Sequence, residues 1–173
     1  MLATDETILR QFPPLRAAWA RSGTQAEVPI SGRNAKRVLF GAINIHTGHR
    51  VVIVKNRSTI DYFIEFLDDL RRRYRERRIY LLLDRAGWHD HPRVIARAEH
   101  LNIELMWLPR QSPKLNPMDQ LWRELKQKIA ANRQYDDIDQ LAVSAVNWLL
   151  ALTSLAAVRK AAMLSRSFWL NRL

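Results

Sequence analysis

Ile79-Tyr80-Leu81-Leu82-Leu83-Asp84 is an apolar run of strand length that stops on an acid. A continuous apolar run belongs to a strand covered on both faces, as in the middle of a parallel sheet. Before it, Ile60, Phe63, Ile64, Leu67, Leu70 and Tyr74 recur at helical spacing, with Ser58 or Thr59 as the cap. After it, Pro92 to His100 reads as a short helix, with Pro92 suited to the first turn, and Ile103 to Leu108 reads as another strand.

Working outward, residues 1–6 read as a strand that begins close to the chain start, and residues 7–37 as turns and irregular chain, with Pro13, Pro14, Gly23, Pro29 and Gly32. The basic segment Ser31 to Arg37 reads as mobile. Val38 to Ile45 and Arg50 to Lys55 form a hairpin about His46-Thr47-Gly48-His49. Asn116 is a good N-cap and Pro117 a good first residue for a helix running to about Ala131. Met118, Leu121, Trp122, Leu125 and Ile129 form its apolar stripe. Asp136-Asp137-Ile138-Asp139 begins a helix to about Leu150, and a last helix spans Ser154 to Leu164. The expected class is α/β, a mixed sheet flanked by helices with extra helices at the C-terminal end.

A length of 173 residues and a hydrophobic fraction of 47% suit one domain with a real core. The net charge of +11 attracts polyanions, nucleic acid first among them. The absence of cysteine excludes disulfides, thiol catalysis and cysteine-bound zinc. The first residues lack the pattern of a signal peptide, and Asn147, Thr153, Ser154, Arg159 and Lys160 interrupt the apolar C-terminal region, so no membrane span is expected.

Asp84 stands where a strand ends, Asp119 at the third position of a helix, and Asp5 in an opening strand. Acids at such ends open toward one edge of the sheet, where ligands bind. Carboxylates from separate elements suit hard divalent cations, and two such ions can drive phosphodiester displacement. Glu6 rivals Asp5; strand neighbours point to opposite faces, so at most one serves the site, and position alone does not choose. Asp119 borders the apolar stripe, whereas Glu124 projects away and is expected to pair with Lys128.

Leu83-Asp84-Arg85-Ala86-Gly87-Trp88-His89 resembles the second acidic motif of bacterial insertion-sequence transposases related to mariner. The stretch from Leu108 through Ser112-Pro113-Lys114-Leu115-Asn116-Pro117-Met118-Asp119 to Trp122 resembles their third, and Asp5-Glu6-Thr7, followed by Trp19 to Gly23, their first. The resemblance covers roughly residues 2–150. It implies an RNase H-like fold with a five-stranded mixed sheet, and a DDE/D triad of Asp5, Asp84 and Asp119. It thereby selects Asp5 over Glu6. It also implies two Mg2+ ions, with Mn2+ able to substitute. His89 matches a histidine of the second motif, a candidate to position a ligand or a DNA phosphate, and Asn116 is a second positioning candidate. Three departures stand out: an aspartate as third acid, as in mariner, where many bacterial relatives use glutamate; Arg85 in place of a small or amide residue; and Arg110, Gln111 and Lys114 in place of proline, tyrosine and an acid.

Positive charge beside the site suits DNA. The candidate phosphate contacts are Arg33, Lys36, Arg37, Arg85, Arg110, Lys114, Arg123 and Lys126. Six arginines within residues 70–78 are either a solvated helix end or a further contact. Of the six tryptophans, Trp107, Trp122 and Trp148 read as core, and packing is favoured for Trp88.

The resemblance implies metal-dependent cleavage at element ends and strand transfer into target DNA, by a domain over residues 1–150 with a helical extension at 151–173. Two subunits would hold two terminal inverted repeats in the bacterial cytoplasm, at the nucleoid. Full-length relatives carry N-terminal helix-turn-helix domains. The expectation here is a chain without them: either an isolated catalytic domain, or a product of a separate frame that works with a separate N-terminal transposase chain. Alternative readings are an RNase H-like nuclease without strand transfer, an inactive domesticated DNA-binding protein, and a scaffold for other subunits.

Overall fold

The computed structural model describes residues 1–25, 27–110, 112–166 and 168–172. Strands β1 (Leu2–Arg10), β2 (Lys36–Asn44) and β3 (Arg50–Lys55) precede α1 (Ile60–Arg73) and β4 (Ile79–Leu83). Then come α2 (Pro92–His100), β5 (Ile103–Trp107), α3 (Pro117–Leu125), α4 (Ile138–Ala151) and α5 (Ser154–Lys160). The sheet order is β3-β2-β1-β4-β5. The hairpin side is antiparallel, and β1, β4 and β5 are parallel.

Both faces of this sheet are covered, which is why β4 is apolar throughout. Leu81 and Leu83 pack with Phe63, Phe66, Leu67 and Leu70 of α1 and Val94 and Ala98 of α2. Leu82 points the other way, into a cluster with Met118, Leu121 and Trp122 of α3 and Leu141, Ala145 and Leu149 of α4. Ala157 of α5 joins the second cluster. Among the described residues no single helix is long and apolar enough to cross a membrane, and α4 and α5 meet at a bend of 109°.

The caps form as their side chains dictate. Thr59 accepts from the Tyr62 N–H, and Asn116 from the Met118 N–H. The boundaries differ from expectation in four places. β1 continues to Arg10, because residues 7–10 pair in register with 36–39 of β2. Lys36 and Arg37 are therefore strand residues rather than a mobile segment. The helix expected to reach Ala131 stops being α-helical at Leu125 and widens into a π-turn over Lys126–Ala130. The last helix ends at Lys160, where Ala162 adopts φ 58° and the chain reverses to bury Met163.

Gly41 shows how closely α3 lies on the sheet. A Cβ there would stand 2.5 Å from Trp122 Cζ2 and 2.9 Å from the Met118 methyl. Trp122 is buried and cannot swing clear. Gly41→Ala is expected to destabilise the protein by about 1–3 kcal/mol through overpacking, read as a lower midpoint in thermal unfolding.

Candidate active site

Strand register brings two of the acids together. Leu2 pairs with Leu81 and Ala3 with Leu82, so the same register carried two residues further sets Asp5 beside Asp84. Ala3 and Leu82 both join the α3–α4 cluster. Asp5 and Asp84 share their parity and face the same layer. Asp5 also lies opposite Gly41 in the β1–β2 ladder, on the side where α3 approaches.

The third acid is tied to the first by a side-chain amide. Asn116 donates from Nδ2 to the Thr4 carbonyl at 2.8 Å, while its Oδ1 caps α3. This one buried residue holds the start of α3 against the backbone just before Asp5, and Asp119 follows within the first turn. The loop before α3 starts from the same place, since the Leu108 N–H donates to the Leu83 carbonyl at 2.8 Å. Trp169 Nε1–H donates to the Leu115 carbonyl at 3.0 Å and ties the chain's C-terminal turn to that loop.

Asp5, Asp84 and Asp119 line one open cleft of about 560 Å³, with Arg85, Arg110, Ser112 and Asn116. Their surroundings differ. Burial, then repulsion from Glu6, Asp84 and Asp119, pushes the Asp5 carboxyl up to about 7 from an ordinary 3.8. Asp84 is held below the usual carboxylate range, chiefly by its hydrogen bond with His89. Asp119 forms an ion pair with Arg123 one turn later. Among the described residues, no three His, Asp or Glu side chains converge closely enough to hold an ion as they stand. The carboxylates are turned to protein partners: Asp84 Oδ1 to His89 and the Ala86 N–H, and Asp119 Oδ2 to Arg123. The donor chemistry nevertheless fits a hard divalent cation, because three carboxylates line one cleft and the deepest has three acidic neighbours.

His89 is fully buried, so a direct contact with DNA phosphate is out of its reach. Its Nδ1 lies 2.8 Å from Asp84 Oδ1 and its Nε2 lies 2.7 Å from Glu6 Oε1. Burial alone would lower its affinity for protons. The two carboxylates overcome that and raise the imidazole from 6.5 to about 9, so the ring is cationic at neutral pH. Glu6, read only as the rival of Asp5, thus faces the opposite side of the sheet and grips His89. Strand parity separated the two acids, but nothing local in the sequence marked the partner of Glu6.

The basic candidates divide. Arg85 and Arg110 line the cleft, and the Arg85 guanidinium lies over the Trp107 ring at 5.4 Å. Lys114 lines the adjoining hollow with Asp119 and Arg123. Half-buried Lys126 sits where the helix widens; burial lowers its proton affinity, while Asp5 and Asp119 act in the opposite direction. Lys36 is exposed at the start of β2, outside the cleft lining. Arg33 and Arg37 are turned to the start of α4, Arg33 donating to the Asp136 carbonyl and Arg37 forming a two-pronged ion pair with Asp139. Much of the arginine cluster at residues 70–78 is also engaged. Arg71 donates to the Leu101, Tyr74 and Arg77 carbonyls, and Arg72 and Arg73 pair with Asp69. Glu124 pairs with Lys160 of α5, not with Lys128, because α5 packs across its side of α3. Gln111 lies outside the described residues.

A family model described as DDE superfamily endonuclease matches residues 1–142. The chain is 31% identical over 104 residues to an uncharacterized protein, y4pE/y4sA, of Sinorhizobium fredii, covering 60% of this chain and 75% of that one. It is 29% identical over 139 residues to the insertion element IS630 uncharacterized 39 kDa protein of Shigella sonnei, covering 79% of this chain but 40% of that one. Among solved structures, the Mos1 transposase paired-end complex with left transposon end aligns with a TM-score of 0.74 at 19% identity, over 96% of this chain and 52% of that chain. The Mos1 paired-end complex with Mg gives 0.73 at 20% identity, over 94% of this chain and 51% of that one. The chain therefore spans about half of those transposase chains. The likeness shows the RNase H-like fold.

The shifted groups make stability depend on pH in the ion-free protein. Between 3.8 and about 7 the folded state keeps a proton on Asp5 that the unfolded chain has released, so stability falls as pH rises through that window. The contribution of His89 is complete below 6.5 and is lost as pH rises through about 9. Asp5→Asn removes the first loss. In ion-free buffer at about pH 8 it is expected to melt several degrees above wild type, at roughly 2–4 °C per kcal/mol, with the gap closing toward pH 4. Thermal melts across pH check this.

Proposed function

The chain belongs to the DDE superfamily endonuclease family and has the fold of a mariner-like transposase catalytic domain; on that premise we propose that it cuts DNA at the ends of a mobile element and joins those ends to target DNA. The observation that carries this reading is the convergence of Asp5, Asp84 and Asp119, from three separate elements, on one cleft edged by Arg85 and Arg110. The insertion-element name of the Shigella relative and the transposon-end DNA of the Mos1 complexes support the substrate class.

Asp5, Asp84 and Asp119 would hold Mg2+ or Mn2+. When bound, such ions supply Lewis-acid chemistry, activating the attacking oxygen and stabilising the leaving one. Asp84 would offer the oxygen that His89 and Ala86 leave free. Asp119 would give up its surface pair with Arg123, a weak interaction in solvent, to serve as a ligand. Arg85 and Arg110 bind backbone phosphates beside the acids, which fixes the strand without selecting sequence.

In cleavage, a water oxygen attacks phosphorus and the bridging P–O3′ bond breaks, leaving a 3′-hydroxyl on the element end and a 5′-phosphate on the flank. In joining, that hydroxyl attacks a target phosphodiester. One P–O bond forms, one breaks, and the target keeps a free 3′-hydroxyl. No protein nucleophile and no change of oxidation state is required. The reading includes two subunits holding two ends.

The test is plasmid nicking with Mg2+, followed by strand transfer with pre-cleaved ends. Asp84→Asn and Asp119→Asn are expected to keep salt-sensitive DNA binding and to lose cleavage by more than the roughly 10–100-fold typical of disturbing an outer partner of a metal site. Wild-type cleavage by either variant overturns the assignment. Nicking without joining identifies a nuclease instead.

A further inference from the structure

We propose that Glu6 is a positioning residue for the acidic cleft: through His89 it holds the Asp84 carboxylate with one oxygen committed to the protein and the other presented to a cation. The inference rests on the reading of Asp84 as an ion ligand. It adds a residue and a route by which the buried side of the sheet controls the open side.

Of the three side chains only Asp84 is open to solvent. The Glu6 side chain is 10% exposed, His89 0% and Asp84 54%. Each ring nitrogen of His89 faces a carboxylate oxygen, at 2.7 Å on the Glu6 side and 2.8 Å on the Asp84 side, so both donate. Two aromatic rings flank the imidazole. Phe63 packs on it with centroids 4.4 Å apart, and Trp88 meets it edge-on at 5.8 Å.

The consequence falls on one atom. His89 Nδ1 and the Ala86 N–H, at 3.1 Å, both donate to Asp84 Oδ1. Among the described residues no donor is placed on Oδ2, and Asp84 lines the cleft that His89 does not reach. Without the Glu6 anchor, the imidazole keeps only Asp84's own acceptors, Oδ1 at 2.8 Å and the backbone carbonyl at 3.2 Å, and loses the second polar tether that sets its aim on Oδ1. Buried charge pairs are costly to desolvate and often add little to stability. A positional role gives this one a use, in the way outer partners orient the ligands of metal sites.

The experiment is a Mn2+ titration of the DNA-free protein, read by calorimetry or by loss of the free-ion EPR signal. Wild type is compared with Glu6→Gln, with the apolar double variant Glu6→Leu/His89→Phe, and with Asp84→Asn. The double variant leaves no unpaired buried charge, and thermal melting verifies its fold. It is expected to bind Mn2+ about 10–100-fold more weakly. Glu6→Gln, whose amide still partners Nε2, is expected to stay close to wild type. A double variant that binds like wild type overturns the proposal, as does Glu6→Gln binding as weakly as the double variant. Wild-type affinity in Asp84→Asn would instead remove the underlying assignment of Asp84.

Discussion

Parallel pairing of β1 with β4 is the constraint on which the site depends. Only two residue pairs define it, Leu2 with Leu81 and Ala3 with Leu82. A slip of one residue would turn Asp5 toward α1 and bury it among phenylalanines. The pairing is protected because both faces are packed. Leu81 and Leu83 are locked under α1 and α2, and Leu82 under α3. Asn116 then transfers the register to the next element by bonding the Thr4 carbonyl, so α3 starts where β1 places it.

The same geometry sorts the acids by depth. Asp5 is carried on a central strand and surrounded by negative neighbours, whereas Asp84 and Asp119 sit at element ends beside cationic partners. A cleft built this way gathers negative charge at its floor and carries arginines at its rim. Burial first, and the negative neighbours second, hold the proton on Asp5, and a hard cation would relieve that repulsion.

The net charge of +11 overstates what is free to meet a polyanion. Arg37 is paired to Asp139, Arg71 is spent on three carbonyls, and Arg50 is buried, donating to the Gly48, Leu149, Leu150 and Leu152 carbonyls, where it joins the hairpin to the end of α4. Among the described residues no carbonyl is shown accepting from Arg85 or Arg110, and both stand at the cleft. Composition thus sets the total positive charge, but position decides which cations stay free.

Much of the fold was legible in the residues. The apolar run of β4, the helical spacing of α1, the proline start of α2 and the Asn116-Pro117 start of α3 were readable because burial pattern and capping act locally. The extension of β1 to Arg10 was not, since residues 7–10 are strand only by virtue of pairing with β2. The two later acids were visible as ends of elements, and Asp5 was chosen over Glu6 by resemblance alone. By itself the sequence determined the element types, the basic character and the acids available. Tertiary structure alone decided that Glu6 serves His89, that Glu124 meets Lys160, and that Arg33 and Arg37 turn to α4. Each of these contacts joins residues far apart in the chain, and no local propensity or spacing encodes a partner that only packing brings near.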